Sequence, residues 1–322
     1  MMNKIIVTGG YGFIGSHFVE WVYNNTRARI LVIDKMTYAA DYDNIPLEIR
    51  EDANRFRFNP DDICDVTLES LADFKDAEYI INFAAESHVD NSIKNSVPFV
   101  RSNIEGVYNL LDVAKSMPKL KKFVQISTDE VYGDMEDIRA GNGATESFLL
   151  RPSSAYSASK ASADLAVIAA ARTFNIPYLI TRSSNNFGPR QHREKFLPTL
   201  FKCVEEGKDI PVYGDGLQKR EWIHVTDNVA IIADLTVSKA IKNEIFNISS
   251  NYHYTNLDVI QRVRKFSKGE VKFEHVKDRR GHDREYRIDC SKLKEYLDDF
   301  VFLSLEGYLR DVAREKSLIN GR

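Results

Sequence analysis

The chain has 322 residues, 43% hydrophobic and 28% charged, enough to bury an enzyme-sized core in one large domain or two modest ones. Its formal net charge of −3 argues against a general affinity for nucleic acid or an anionic membrane, which needs a basic face. The dispersed cysteines Cys64, Cys203 and Cys290 form no CxxC pair, so neither a disulfide framework nor a metal site is expected and a reducing compartment fits best.

The chain enters a strand pattern at once with KIIV (4–7), shows nothing like a signal peptide, and has no apolar run near the roughly 20 residues of a membrane span. A soluble, cytoplasmic protein with no membrane partner is expected. Further β-branched runs follow at ILVID (30–34), YIINFAA (79–85), KFVQIS (122–127) and YLITRSS (178–184), separated by helical periodicity at 13–23, 103–115 and 155–174. Strands apolar on both faces and separated by helices predict an α/β fold, a doubly wound parallel sheet of Rossmann type over residues 1–184. Beyond 185 the pattern loosens into turn-rich stretches (NNFGPR, YGDGLQKRE, DRRGHDRE), which predicts a smaller C-terminal substrate-binding lobe over 185–322 with a discontinuous boundary. Without a Gly/Ser linker the lobes should pack firmly, with a ligand cleft between them.

TGGYGFIGSH follows the first predicted strand and opens the first helix. Gly9, Gly12 and Gly15 give the spacing of a dinucleotide cradle: a tight turn, close backbone approach to a pyrophosphate, and close packing of helix on strand. Asp34, at the end of the second strand, can accept from the adenosine ribose hydroxyls and repel a 2'-phosphate, which favours NAD over NADP. Lys35 is a counter-signal, since a cation there could take that phosphate. Asp62 and Ile63, after a third strand, fall where the adenine edge would lie, with a solvated turn as the alternative.

ISTDEVYGD (126–134) sets Asp129 beside Glu130 at a strand end. A Ser127/Glu130 capping box is one reading, weakened by Gly133, which soon interrupts any helix. YSASK places Tyr156 and Lys160 on one helix face. A free phenol titrates near pH ~10, and lowering that by about 3 units takes roughly 4 kcal/mol, which an adjacent ammonium and a nicotinamide cation would supply. HVTDN (224–228) reads as a helix N-cap at Thr226 or Asp227, and His88 in ESHVD as structural or pocket-lining.

Together these motifs resemble the extended branch of the short-chain dehydrogenase/reductase superfamily. AAESHVDNSI (84–93), ISTDEVYGD, PSSAYSASKASAD (152–164), SNNFGP (184–189) and DRRGHDREYRID (278–289) are similar to the nucleotide-sugar 4,6-dehydratases, above all those acting on dTDP-glucose. The resemblance implies NAD-dependent conversion of a nucleoside-diphosphate glucose, dTDP- or UDP-linked, to the 4-keto-6-deoxy sugar of deoxysugar pathways such as that to rhamnose. It assigns Tyr156 to the C4 hydroxyl proton, Glu130 to the C5 proton, Asp129 to protonation of the leaving C6 hydroxyl, Thr128 to the C4 oxygen, and Lys160 to the nicotinamide ribose and the phenolate. It places Phe13, Ile14, Asp34, Lys35, Met36, Thr37, Asp62, Ile63, Ala84, Ala85, Ser102 and Asn186 at NAD. Ser87, Asn185, Lys195, Phe196, Pro211, Tyr213, Arg220, Asn256, Arg279 and His282 fall at the sugar nucleotide, and a homodimer is implied. Arg220 and Arg279 also suit a diphosphate on physical grounds, as charge-assisted fork donors.

The chain departs from the pattern at Arg190, Gln191, His192 and Arg193, where aromatic and apolar residues are usual, at Arg280 in place of proline, and in a shortened segment between Asp134 and Arg151. These changes lie around the substrate lobe and the flap near the nucleotide, where base and sugar are recognised, and leave the catalytic core untouched. A 4-epimerase or decarboxylase on the same scaffold, and a noncatalytic NAD-binding module, are the alternatives.

Overall fold

The computed structural model describes residues 2–138 and 143–318, so the shortened segment lies partly outside the described residues. Its strands are β1 (Lys4–Thr8), β2 (Arg29–Ile33), β3 (Phe56–Asn59), β4 (Tyr79–Asn82), β5 (Lys122–Thr128), β6 (Tyr178–Ser183), β7 (Asn185–Phe187), β8 (Ile210–Tyr213), β9 (Lys219–His224), β10 (Glu244–Ile248), β11 (Tyr252–Thr255) and β12 (Phe273–Val276). Seven of them form a wholly parallel sheet in the order β3-β2-β1-β4-β5-β6-β10. Consecutive strand residues feed opposite layers: Ile5, Val7, Val32 and Val124 enter one core cluster, while Ile6, Ile33, Ile80 and Phe123 enter the other. That two-sided burial is why the strands are apolar throughout. The strand order reverses at β1 and β4, which opens a crevice beyond the carboxyl ends of the strands.

Three predicted strands run past their structural ends: the sheet releases the chain at Ile33, Asn82 and Ser183, and Asp34, Phe83, Ala85 and Ser184 turn out to line the crevice or the smaller pocket beside it. β10 was not among the predicted strands. It lies beyond residue 185, starts on the exposed Glu244, and pairs with β6 at the sheet edge. The preceding helix, Val225–Val237, packs against the first helix, Phe13–Asn25. The predicted helix at 103–115 starts as a π turn, Arg101–Glu105, and becomes α-helical at Gly106–Ala114.

The smaller unit holds the sheet β11-β9-β7, the parallel pair β12-β8, and a third core cluster around Phe187, Trp222 and Val259. One capping expectation changes, and the Ser127 capping box, the weaker reading of its segment, does not form. The helix Val225–Val237 is capped by His224, whose Nδ1 accepts from the Thr226 amide at 3.2 Å, rather than by Thr226 or Asp227. At the end of β5 the cap is Thr128 and not Ser127: its hydroxyl accepts from the Glu130 amide and opens a single 3₁₀ turn, Asp129–Tyr132. Gly133 ends that turn at φ 79°, where a Cβ would sit 2.1 Å from the Arg151 carbonyl oxygen. No helix among the described residues is long and apolar enough to cross a membrane.

Candidate active site

The first helix begins at Phe13 without a side-chain cap, so its leading amides face the crevice unpaired. The turn and the helix's first residues must approach closely: a Cβ on Gly15, in the first turn of the helix, would lie 2.2 Å from the Gly9 carbonyl oxygen, and one on Gly9, at φ 67°, 2.6 Å from the Ala84 nitrogen. Asp34 follows β2 directly and is held by the amides of Tyr11 at 3.0 Å and Met36 at 2.9 Å; burial nonetheless pushes its carboxyl up. Met36 takes a left-handed turn (φ 54°) and packs its side chain on the core, so of the predicted cofactor residues it serves through its backbone and does not line the cleft. The Lys35 ammonium is taken up by Asp62 at 3.0 Å, which leaves it no free charge for a 2'-phosphate. Thr37, Asp62, Ile63, Ala84 and Ser102 line a smaller pocket beside the main cleft, and Gly9, Gly12 and Ala85 border both. These residues fit a dinucleotide without a 2'-phosphate.

The main cleft encloses about 450 Å³ and runs between the sheet's carboxyl edge and the smaller unit. Thr128, Glu130, Tyr156, Lys160 and Asn186 line its inner end. Ser154 caps the helix Ala155–Phe174 through the Ser157 amide, so Tyr156 and Lys160 sit in its first two turns. Lys160 is buried, and its Nζ donates to the Ile126 carbonyl of β5. Burial lowers it to about 8. Tyr156 lies above its ordinary value because of burial and the charges of Glu130 and Asp129. The predicted lowering of the phenol by Lys160 is therefore not supplied by the protein's own groups, whose net push is upward; a positive ring bound beside it would have to reverse it.

The two carboxyls differ in their surroundings. Asp129 is buried, accepts from the Thr128 hydroxyl at 3.1 Å, and has its other oxygen without a partner among the described residues. Burial, then Glu130 and Glu221, push it well above the carboxylate range. Glu130 faces the cleft. Burial raises it too, but Arg279, Arg220 and Lys195 pull it back. Two close carboxyls split their titrations, and here the split favours a protonated Asp129 beside an ionised Glu130.

The outer end is lined by Ser87, Asn185, Lys195, Phe196, Pro211, Tyr213, Arg220, Asn256, Arg279 and His282, every residue predicted there. Lys195 donates to the Ser87 carbonyl at 3.2 Å, and Arg279 faces Asp90 at 3.5 Å, so both reach across the cleft. Arg220 is buried rather than solvated: it stacks on Tyr286, 4.2 Å from the ring centre, and donates to the Asp283 carbonyl at 2.9 Å. His282 lies 2.6 Å from Asp278 and is lowered to about 4, chiefly by burial. His88 lines the cleft, as one of its two readings had it, and lies 3.6 Å from Glu194. Sequence reasoning missed Tyr286, whose hydroxyl donates to Asp283 at 2.7 Å and stands 3.5 Å from Glu130, and Glu221, which burial raises to about 7 behind Asp129. Tyr286 lies inside DRRGHDREYRID, so the motif pointed to the segment but not to the side chain.

Residues 6–305 match the family model described as GDP-mannose 4,6 dehydratase. The chain is 43% identical to the low-salt glycan biosynthesis protein Agl12 of Haloferax volcanii, over 90% of this chain and 91% of that protein. It is 39% identical to the dTDP-glucose 4,6-dehydratase of Haemophilus influenzae, over 98% and 97%. Among solved structures, the dTDP-glucose 4,6-dehydratase DesIV of Streptomyces venezuelae, solved with NAD bound, superposes with a TM-score of 0.86 at 34% identity, over 97% and 96% of the two chains. The UDP-glucuronic acid 4-epimerase of Bacillus cereus superposes with a TM-score of 0.89 at 28% identity, over 98% and 99%. The chain therefore belongs to the GDP-mannose 4,6 dehydratase family, within the nucleotide-sugar 4,6-dehydratases of the extended short-chain dehydrogenase/reductase superfamily.

Proposed function

We propose that the protein is an NAD-dependent nucleoside-diphosphate-glucose 4,6-dehydratase, a hydro-lyase, with dTDP-glucose the preferred substrate over UDP-glucose. The observation that carries this reading is the pair Asp129 and Glu130 at the end of β5: burial raises both, neighbouring carboxylates push the enclosed Asp129 further, and Glu130, which lines the cleft with Tyr156, is pulled back by Arg279, Arg220 and Lys195. An epimerase needs the tyrosine but has no step for a paired acid and base. The family match and the dehydratase relatives support the same reading.

Bound NAD would supply a hydride acceptor for C4 and, once reduced, a hydride donor for C6, with no net consumption. It would be held by the glycine turn, the first helix's amides, Asp34 and the residues of the smaller pocket. Tyr156 receives the C4 hydroxyl proton, with Thr128 placed to hydrogen-bond the C4 oxygen. The resulting 4-ketone acidifies the C5 hydrogen. Glu130 takes that proton while Asp129 protonates the departing C6 hydroxyl, water leaves across C5 and C6, and Glu130 gives its proton back to C5 as C6 is reduced. Arg220, Arg279 and Lys195 gather at the outer end as cations for the diphosphate.

The test is mass spectrometry of dTDP-glucose and UDP-glucose, each incubated with the purified protein without added reductant while NADH absorbance is followed. Loss of one water with no net NADH is expected, faster for the dTDP sugar. An unchanged mass with C4 inverted would replace the reading with an epimerase.

We also propose a cytoplasmic homodimer. Cys64, Cys203 and Cys290 are unpaired, as suits a reducing compartment. Val97, Val100, Tyr108 and Leu165 are exposed on neighbouring helices of the large unit. Apolar side chains left exposed on helices that pack together suit self-association. Sedimentation should find a dimer that Leu165→Glu with Val97→Glu converts to monomer; a wild-type monomer would end this proposal.

A further inference from the structure

The segment from Pro189 to Glu194 carries the unusual residues Arg190 to Arg193 and lines the cleft through Gln191, His192 and Glu194. One end is pinned to the first helix. The Arg190 guanidinium pairs with Glu20 at 2.6 Å, and its other nitrogen lies 3.4 Å from His17 Nδ1, while His17 Nε2 lies 3.0 Å from the Pro189 carbonyl. Because arginine can only donate, Nδ1 accepts and Nε2 donates, which defines a neutral His17; burial, the main influence on that ring, favours the same form. Arg190 also holds a left-handed backbone (φ 65°), a conformation that a non-glycine residue keeps only where its surroundings enforce it.

The other end lies across the groove from His88, whose ring burial holds below its ordinary value. Glu194 lies 3.6 Å from His88, at the start of the helix Val89–Lys94, and 3.7 Å from His192. His192 in turn meets the Tyr38 ring edge-on at 5.7 Å, just beyond the turn that carries Met36 and Thr37. A single stretch of chain thus joins the helix that cradles the pyrophosphate to the loops beside the adenosine ribose and the start of the next helix.

Resting on the dinucleotide reading of this cleft, we propose that Pro189–Glu194 is a strap that retains the cofactor through turnover, with Arg190 and Glu20 as its latch. The reaction returns its hydride to the sugar, so the cofactor has no need to exchange, and reduced cofactor lost midway would strand the enzyme. Arg190 and Glu20 are positioning residues: neither lines the cleft, and they act through the strap.

The experiment loads the full chain with NADH, adds excess NAD+, and follows the decay of bound NADH fluorescence. Arg190→Met and Glu20→Gln should each speed release by about 5-fold, roughly what loss of one partly buried ion pair allows. The charge swap Glu20→Arg with Arg190→Glu should return release toward the parent rate, which a merely structural lesion would not do. Unchanged release in both single variants, or a swap no slower than either of them, overturns the strap. A parent protein that binds no NADH overturns the dinucleotide reading itself, and the strap with it.

Discussion

Asp129→Asn should slow water loss by about 10²- to 10⁴-fold while the first hydride transfer survives, so that rapid quenching finds the 4-keto, 6-hydroxy sugar with reduced cofactor. The amide keeps the shape of the side chain and its contact with Thr128 but holds no acidic proton. In the parent that proton is secured by burial and by the neighbouring Glu130 and Glu221, which hold Asp129 well above the carboxylate range. Raising the pH through the Asp129 titration removes the acid, so the elimination rate should fall on the alkaline side in the parent, and this dependence should vanish in Asp129→Asn. Glu130→Gln should act on the other atom. It leaves no base for C5, and deuterium from D₂O should no longer enter that position. If Glu130→Gln still exchanges C5 and Asp129→Asn does not, the two roles are reversed. If both variants lose water at the parent rate, the elimination does not use this pair.

Those two residues could be read from the sequence because their placement is local. The end of β5 and the single 3₁₀ turn behind Thr128 fix them within four residues, and the i, i+4 spacing of Tyr156 and Lys160 fixes that pair on one helix. The glycine turn is local in the same sense. What the sequence left hidden is assembled at long range. Tyr286 reaches Glu130 from 156 residues away, and Arg220 is buried only because the segment around Asp283 folds over it. Glu221 reads as one more charge in LQKREW, and only the folded chain puts it behind Asp129. β10 escaped for a related reason: an edge strand of five residues beginning on an exposed glutamate carries little pattern, and its partner β6 lies some sixty residues upstream. Lys35 was ambiguous alone, since the ion pair with Asp62 that neutralises it joins the ends of two strands that are adjacent only in the sheet.

Tyr156→Phe should abolish even the first hydride transfer, by about 10²- to 10⁴-fold, because the C4 hydroxyl then has no proton acceptor. Lys160→Met should lose activity on a similar scale, yet melt at or above the parent temperature. Its ammonium is buried, and burial holds it at about 8 rather than 10.5, so the charged form is the one the fold disfavours. The sign follows from proton uptake: between pH 8 and 10.5 the unfolded chain binds the proton and the folded chain does not, so stability rises with pH across that window. The span corresponds to a penalty on the order of 3 kcal/mol at neutral pH, offset in part by the bond to the Ile126 carbonyl, itself worth about 1 kcal/mol. Lys122 is lowered to about 8 in the same way, so the parent's climb contains both lysines and the informative quantity is the difference between parent and Lys160→Met. Denaturant unfolding at pH 7 and pH 10 should show the climb shrinking in the variant, with activity lost at both. A variant that melts far below the parent, with an undiminished climb, would mean that the ammonium serves the fold rather than the chemistry.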